Sequence, residues 1–312
     1  MSTVLVTGAA GFIGSSLAPA LLDAGHRVVG LDLVTAPNQG AFTDFRIVDL
    51  SDRRALADLL DQARPEVVIH AGGASGLMVW REDPPRIIEA NLGGTANLLE
   101  AARRARVRRV VLCSSVMVYG DQDAGPIGEN APLRPLSVYA ATKVGAEALL
   151  RAYSIERGLE GIALRIGHVY GPGRRTACHV RTMVEDSLAG RPTVIAEGSR
   201  ARRQYVHVAD VVQALVRAAC SPLRTPATFN ITAGEMHTLE EVALLAREIL
   251  GHTQISFGQG EPAADYLTGQ LDIAAAAREL NWRPRIPLAS GLRSYAMALK
   301  GAASGERYGG VD

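Results

Sequence analysis

The chain has 312 residues, 47% of them hydrophobic and 21% charged, so it exceeds the size at which a single core stops growing and is too apolar for a disordered segment. Lysine and arginine total 33 against 32 acidic residues, and a formal charge of +1 supplies no field for a polyanion, which argues against nucleic acid as a partner. Cys113, Cys178 and Cys220 are odd in number and irregularly spaced, fitting neither a disulfide framework nor a metal site, so a reducing compartment and no metal are expected. Met1 to Val6 lacks the basic and long apolar regions of a secretory leader, and no stretch approaches the roughly 20 apolar residues that span a bilayer. A cytoplasmic protein without a membrane partner is the expectation.

In chain order, Val4–Thr7, Val28–Leu33, Val67–His70, Val110–Ser114 and Ile162–Ile166 are short runs rich in Val, Ile and Leu that read as buried parallel strands. Between them, Ile13–Ala24, Asp52–Ala63, Arg86–Arg106 and Val138–Arg157 have helical period and crossover length. This alternation predicts an α/β fold, a Rossmann-type doubly wound parallel sheet. After Gly171-Pro172-Gly173 the texture changes to Gly-, Pro- and Arg-bearing loops with helices near Ala177–Ala189, Val208–Ala219 and Leu239–Leu250. We expect residues 1–170 to form the cofactor-binding domain, with 204–231 returning to it. Residues 171–203 and 232–312 would form a smaller, interleaved substrate domain. The Gly-rich tail from Ala302 to Asp312 reads as loose. The basic run Arg103 to Arg109 closes a predicted helix, where cations offset the helix dipole.

Gly8-Ala9-Ala10-Gly11-Phe12-Ile13-Gly14 follows the first strand and opens a helix. Glycines there permit a tight turn and close backbone approach to a pyrophosphate, whose charge meets the free N–H groups of the helix N-terminus. Asp32 lies 18 residues past Gly14 at the end of the second strand, placed to accept both ribose hydroxyls. No basic residue flanks Asp32 to receive a 2′-phosphate, so the expected cofactor is NAD rather than NADP.

Tyr139 and Lys143, four residues apart, share a predicted helix face. A nearby cation favours the phenolate, which lets Tyr139 exchange a proton with a substrate hydroxyl near neutral pH. Ser115, at the C-terminal end of a strand, is placed to donate to the reacting oxygen.

These segments, with Asp49-Leu50, Asn91-Leu92-Gly93-Gly94-Thr95, Ser114 to Gly120, Leu164-Arg165, Tyr170-Gly171-Pro172 and Tyr205 to Asp210, resemble the extended short-chain dehydrogenase/reductases over nearly the whole chain. That group contains the nucleotide-sugar epimerases and dehydratases. The resemblance implies a catalytic set of Ser115, Tyr139 and Lys143. It also implies a cofactor site of Gly8, Gly11, Phe12, Ile13, Gly14, Asp32, Asp49, Leu50, Ala71, Gly72, Asn91 and Ser114, completed by Tyr139 and Lys143. The helices Arg86–Arg106 and Val138–Arg157 correspond to those that pair subunits in much of the family, implying a homodimer.

Dehydratases and decarboxylases of the group place acids just after the catalytic Ser or Thr; here those positions are Val116 and Met117, so these reactions are disfavoured. An epimerase acting through a transient ketone on a sugar-like small molecule, expected to be a nucleotide sugar, leads. A dehydrogenase of a free sugar or sugar acid is the alternative, and a catalytically idle NAD-binding protein a third. For the substrate, the resemblance points to Ser115, to Arg203 at the position of a diphosphate-binding Arg, to His168 where an Asn is usual, and to His179. The segment Gly260-Glu261-Pro262-Ala263-Ala264-Asp265 stands where the resemblance places a second anchoring Arg, so either the substrate is not a nucleotide sugar or Arg174, Arg175 and Arg181 replace the lost charge. His207 reads as a packing residue. Specificity is expected in the loops Gly73 to Trp80 and Gly173 to His179.

Overall fold

Val4 to Val6, Val28, Val29, Val67 to Ile69 and Val110 to Leu112 are almost fully withdrawn from solvent, as central strands covered on both faces require. The structure, a computed structural model, describes residues 1–75, 82–122, 125–251, 254–260 and 269–304. Its first half alternates β1 (Thr3–Thr7), α1 (Phe12–Asp23), β2 (Arg27–Asp32), β3 (Asp44–Ile47), α2 (Arg53–Ala63), β4 (Val67–His70), α3 (Pro84–Ile88), α4 (Gly94–Arg104), β5 (Arg109–Ser115), α5 (Val138–Arg157) and β6 (Glu160–Ile166). Then come β7 (His168–Tyr170), α6 (His179–Ala189), β8 (Thr193–Glu197), β9 (Arg202–Arg203), β10 (Tyr205–His207), α7 (Val208–Cys220) and β11 (Ala227–Ile231). The chain continues through β12 (His237–Thr238), α8 (Leu239–Leu250), β13 (Ile255–Gly260), α9 (Ala274–Glu279) and α10 (Leu288–Ser304).

Seven strands form one parallel sheet in the order β11-β6-β5-β4-β1-β2-β3, the doubly wound arrangement expected. The order reverses between β1 and β4, so their C-terminal ends, Thr7 and His70, flank the crevice where such sheets bind ligands. One core lies between the sheet and α1 and α7, including Leu17, Leu21, Val211 and Leu215; the other, under α2, α4 and α5, includes Leu56, Leu60, Leu98 and Leu150. A third cluster unites α6, α8 and α10 through Met183, Val242, Leu292 and Tyr295. It packs beside the parallel pair of β8 and β13.

Three expectations about the elements need correction. Arg86–Arg106 is not one regular helix: a wide π turn over Glu89–Gly93 separates α3 from α4, turning the Asn91 side chain inward. The second helix of the pair ends at Arg104, and Arg106 takes a left-handed conformation. The stretch from Ala302 is not loose at its start, because α10 continues through Ser304; residues 305–312 lie outside the described residues. The helix expected from Ala177 starts at His179, since Cys178 caps it by accepting from the Arg181 N–H.

Four of the arginines in the basic run are paired internally. Arg103 and Arg104 pair with Glu100, Arg108 pairs with Glu160, and the buried Arg109 pairs with Glu160 while donating to the carbonyls of Ala218, Ala219 and Ser221 at the end of α7. Among the described residues no helix is long and apolar enough to cross a membrane, and no group of three or more His, Cys, Asp or Glu side chains could hold a metal ion.

Candidate active site

Gly8 leaves β1 with φ +66°, and a Cβ there would strike the Ala71 carbonyl; a Cβ on Gly14 would strike the carbonyl of Gly8. Only glycine permits both the turn and the close approach of helix to loop. No side chain caps α1, so helix geometry leaves the N–H groups of Phe12, Ile13 and Gly14 without intrahelical acceptors at the crevice. Asp32 accepts from the Ala10 N–H at 2.8 Å with one oxygen and from the Leu33 N–H at 2.7 Å with the other. A carboxylate has about four acceptor positions, so capacity for a ribose diol remains.

Across the crevice, Ala71 N–H donates to the Thr7 carbonyl, and Gly72 N–H donates to the Thr7 hydroxyl at 3.1 Å. Leu50 packs beside Gly72 and Gly94, while Asp49 accepts from the Ser51 N–H at 2.8 Å. Asn91 is buried and donates to Ala74 and Thr142, and its Oδ1 has no hydrogen-bond partner among the described residues. A glycine cradle, open helix N–H groups and an unpartnered amide oxygen along one crevice fit a dinucleotide. The loop after Gly173 crosses this site, with Arg175 donating to the Ala10 carbonyl at 2.5 Å.

Ser115 ends β5 and caps the short helical turn that follows by accepting from the Met117 N–H. Val116 is buried and Met117 half-buried, so apolar side chains fill the positions where dehydratases would carry acids. Tyr139 stands in the first turn of α5, held by the Ser137 cap, and Lys143 follows one turn later. The Lys143 ammonium donates to the Cys113 carbonyl at 3.0 Å and lies 5.8 Å from the centre of the Tyr139 ring. The cation therefore joins the tyrosine helix to the end of the serine strand. Burial pulls the Lys143 pKa down from its ordinary value. Burial also pushes the Cys113 thiol up to about 12, which leaves it a packed, unionised strand residue.

Sequence reasoning missed the polar network beneath this centre. Glu147, on α5, pairs with Arg165 of β6 at 2.7 Å and accepts from the Ser114 hydroxyl at 2.5 Å. Arg165 also donates to the Tyr119 hydroxyl, which in turn donates to Asn230 of β11. Ser114, expected at the cofactor, thus commits its hydroxyl to this network. The Glu147 signal was present, one turn beyond Lys143, but its partner lies on a different strand. His70 was also missed: it bonds Thr7 and Thr95 within the crevice wall, and burial, aided by Lys143, lowers its pKa to about 3.

Of the residues expected at the substrate, His179 and Arg203 meet on one residue not foreseen, Glu197 at the end of β8, with His168 on the strand opposite Tyr205. Arg203 donates to Glu197 at 2.5 Å, and the His179 Nε2 lies 3.4 Å from the other carboxylate oxygen. The hydrogen bond from His179 and the charge of Arg203 hold the Glu197 carboxyl below its ordinary pKa. Burial, then the charges of Arg203 and Arg174, depress the His168 pKa to about 3, and its buried Nδ1 has no hydrogen-bond partner among the described residues. Of the replacement cations, Arg174 donates to the carbonyls of Val169 and Thr176, and Arg181 pairs with Glu185. His207 caps α7 by accepting from the Ala209 N–H and packs edge-on against Tyr170. Within the loops singled out for specificity and anchoring, residues 76–80 and 261–265 lie outside the described residues.

Together these features define a doubly wound dinucleotide-binding fold that sets Ser115, Tyr139 and Lys143 about the C-terminal end of β5. A family model, that of the NAD dependent epimerase/dehydratase family, matches residues 4–232, and the chain belongs to this family of extended short-chain dehydrogenase/reductases. The UDP-glucose 4-epimerase of Mycolicibacterium smegmatis is 38% identical over 310 residues, covering 92% of this chain and 95% of that one. The Thermus thermophilus UDP-glucose 4-epimerase in complex with NAD superposes with a TM-score of 0.88 at 32% identity, covering 96% of this chain and 99% of that one. The UDP-glucuronic acid 4-epimerase of Bacillus cereus, in complex with UDP-glucuronic acid and NAD, superposes at 0.87 with 26% identity and the same coverage.

Proposed function

We propose that the chain is an NAD-dependent 4-epimerase of a UDP-sugar that works through a transient ketone at a carbinol carbon. NAD, when bound, supplies the acceptor and then the donor of the hydride. Tyr139 removes the proton of the substrate hydroxyl as the ketone forms and returns it on reduction. Ser115 steadies the same oxygen, and Lys143 offers the charge that favours the phenolate and a hand-hold for the nicotinamide ribose. Gly8, Gly11, Phe12, Ile13 and Gly14 would hold the diphosphate, Asp32 the adenosine ribose, and Asp49, Leu50, Ala71, Gly72 and Asn91 the remaining cofactor contacts. Arg203, His168 and His179 would face the substrate. The observation that carries the reading is the Lys143 ammonium, bound to β5 and set over the tyrosine ring.

The same reading assigns residues 1–170 and 204–231 to cofactor binding and 171–203 and 232–312 to substrate binding. It makes the enzyme cytoplasmic, which the three unpaired cysteines support, and a homodimer through the faces of α4 and α5, where Ile155 stands exposed. The test is interconversion of UDP-glucose and its C4 epimer, followed chromatographically with wild type and Tyr139→Phe. The variant is expected to keep NAD and lose about a hundred- to ten-thousandfold in turnover. Near-normal turnover would refute the role of Tyr139, and net NADH accumulation would mark a dehydrogenase instead.

A further inference from the structure

The cation expected to anchor the substrate diphosphate is already engaged. Arg203 is only 9% exposed along its side chain, and its guanidinium donates to Glu197 at 2.5 Å, a charge-assisted contact of full strength. Glu197 has a second holder, since the His179 Nε2 stands 3.4 Å from its other oxygen. Beside them, Arg174 contributes to the field on His168, whose buried Nδ1 has no hydrogen-bond partner among the described residues. A cation, a carboxylate and an imidazole thus meet at Glu197, with His168 on the strand opposite Tyr205, two residues beyond Arg203.

We propose that Glu197 is an affinity-setting competitor in the substrate anion subsite: the ligand's diphosphate displaces it from Arg203, while His179 retains the displaced carboxylate. The inference rests on the reading of Arg203 as the substrate anchor. It gives the buried arginine a charge partner of its own, without which a desolvated cation is costly. It also makes the anchor selective, because an incoming group must offer more to Arg203 than the internal carboxylate already does. A neutral sugar hydroxyl does not meet that condition, whereas two adjacent phosphates do.

The test is calorimetric titration of the NAD-saturated protein with UDP and, separately, with inorganic pyrophosphate, which carries the anion without the nucleoside. Glu197→Gln keeps the side-chain shape and an acceptor oxygen but removes the charge. It is expected to bind both probes about tenfold more tightly than wild type, the scale of one part-buried charge pair. Glu197→Ala, lacking any acceptor for Arg203, is expected to shift affinity in the same direction and covers the case in which the amide variant does not fold. Damage to the fold weakens binding, so a gain in affinity is a readout that a merely structural role would not give. Unchanged or weaker pyrophosphate binding by a variant melting at the wild-type temperature would overturn the proposal. Tighter pyrophosphate binding with no UDP binding by either protein would sustain it and refute the uridine-nucleotide reading of the function.

Discussion

Replacing Arg165 by Met would test whether the buried network beneath the reacting centre is held by charge. The guanidinium makes three hydrogen bonds to Glu147, at 3.1, 3.2 and 2.7 Å, and one each to the Tyr119 hydroxyl and the Glu129 carbonyl, both at 2.8 Å. Its loss leaves the Glu147 carboxylate buried, with the Ser114 hydroxyl its one remaining side-chain hydrogen-bond donor among the described residues. Removing one partner of such a pair costs about 3–5 kcal/mol, most of it the penalty of the stranded charge. Glu147→Met is expected to cost a similar amount by stranding the arginine. In the double variant neither charge remains, and its cost should be no greater than that of either single change. Urea unfolding followed by circular dichroism, with all four proteins saturated with NAD, gives the cycle. Additive costs, or a single-variant cost below about 1 kcal/mol, would refute the argument that desolvation dominates.

Acid should destabilise the fold through His70 and His168, both held neutral with pKa values lowered to about 3. Between the ordinary histidine value near 6.5 and about 3 the unfolded chain binds more protons than the fold, so stability is full above that window and falls with pH at about 1.4 kcal/mol per unit for each group. His70→Gln should remove one such share of the slope in chemical unfolding between pH 6 and pH 4; an unchanged slope would contradict it. Asp32→Ala is expected to weaken NAD binding about tenfold or more, as the loss of charge-assisted hydrogen bonds implies, and to narrow the preference over NADP. Fluorescence titration with both reduced cofactors checks this. Asp210→Ala frees the N–H groups of Arg285 and Ile286, each now 2.9–3.1 Å from a carboxylate oxygen, and should lower stability by about 2–3 kcal/mol in urea unfolding.

Features encoded by neighbours along the chain are legible in the amino-acid sequence. Runs such as Val67–His70 are buried on both faces and need no distant information to declare themselves strands. The glycine loop and Asp32 are legible because turn, helix start and strand end lie at set distances in sequence. Features made by partners from separate elements are not. Glu197 shows no signal beside Gly198 until β8, β9 and α6 bring it to Arg203 and His179. The partners of Glu147 lie on β5 and β6, and neither residue of its ion pair with Arg165 announces the other. The π turn at Asn91 has the same character: its composition is ordinary helix, and the inward turn makes sense only against Ala74 and Thr142.

The edge strand β11 pairs along the whole of its length with β6, yet 60 residues of loop, helix and small sheet separate the end of one from the start of the other. A fragment ending near Tyr170 would therefore expose the flank of β6, whose residues Ile162 to Ile166 are buried in the intact chain. Exposed apolar strand edges invite association with other chains. Recombination that exchanged only the middle of the chain would have to keep both junctions, whereas one that transplanted the first half alone would deliver an adhesive sheet. The sheet thus travels only with its own distant last strand.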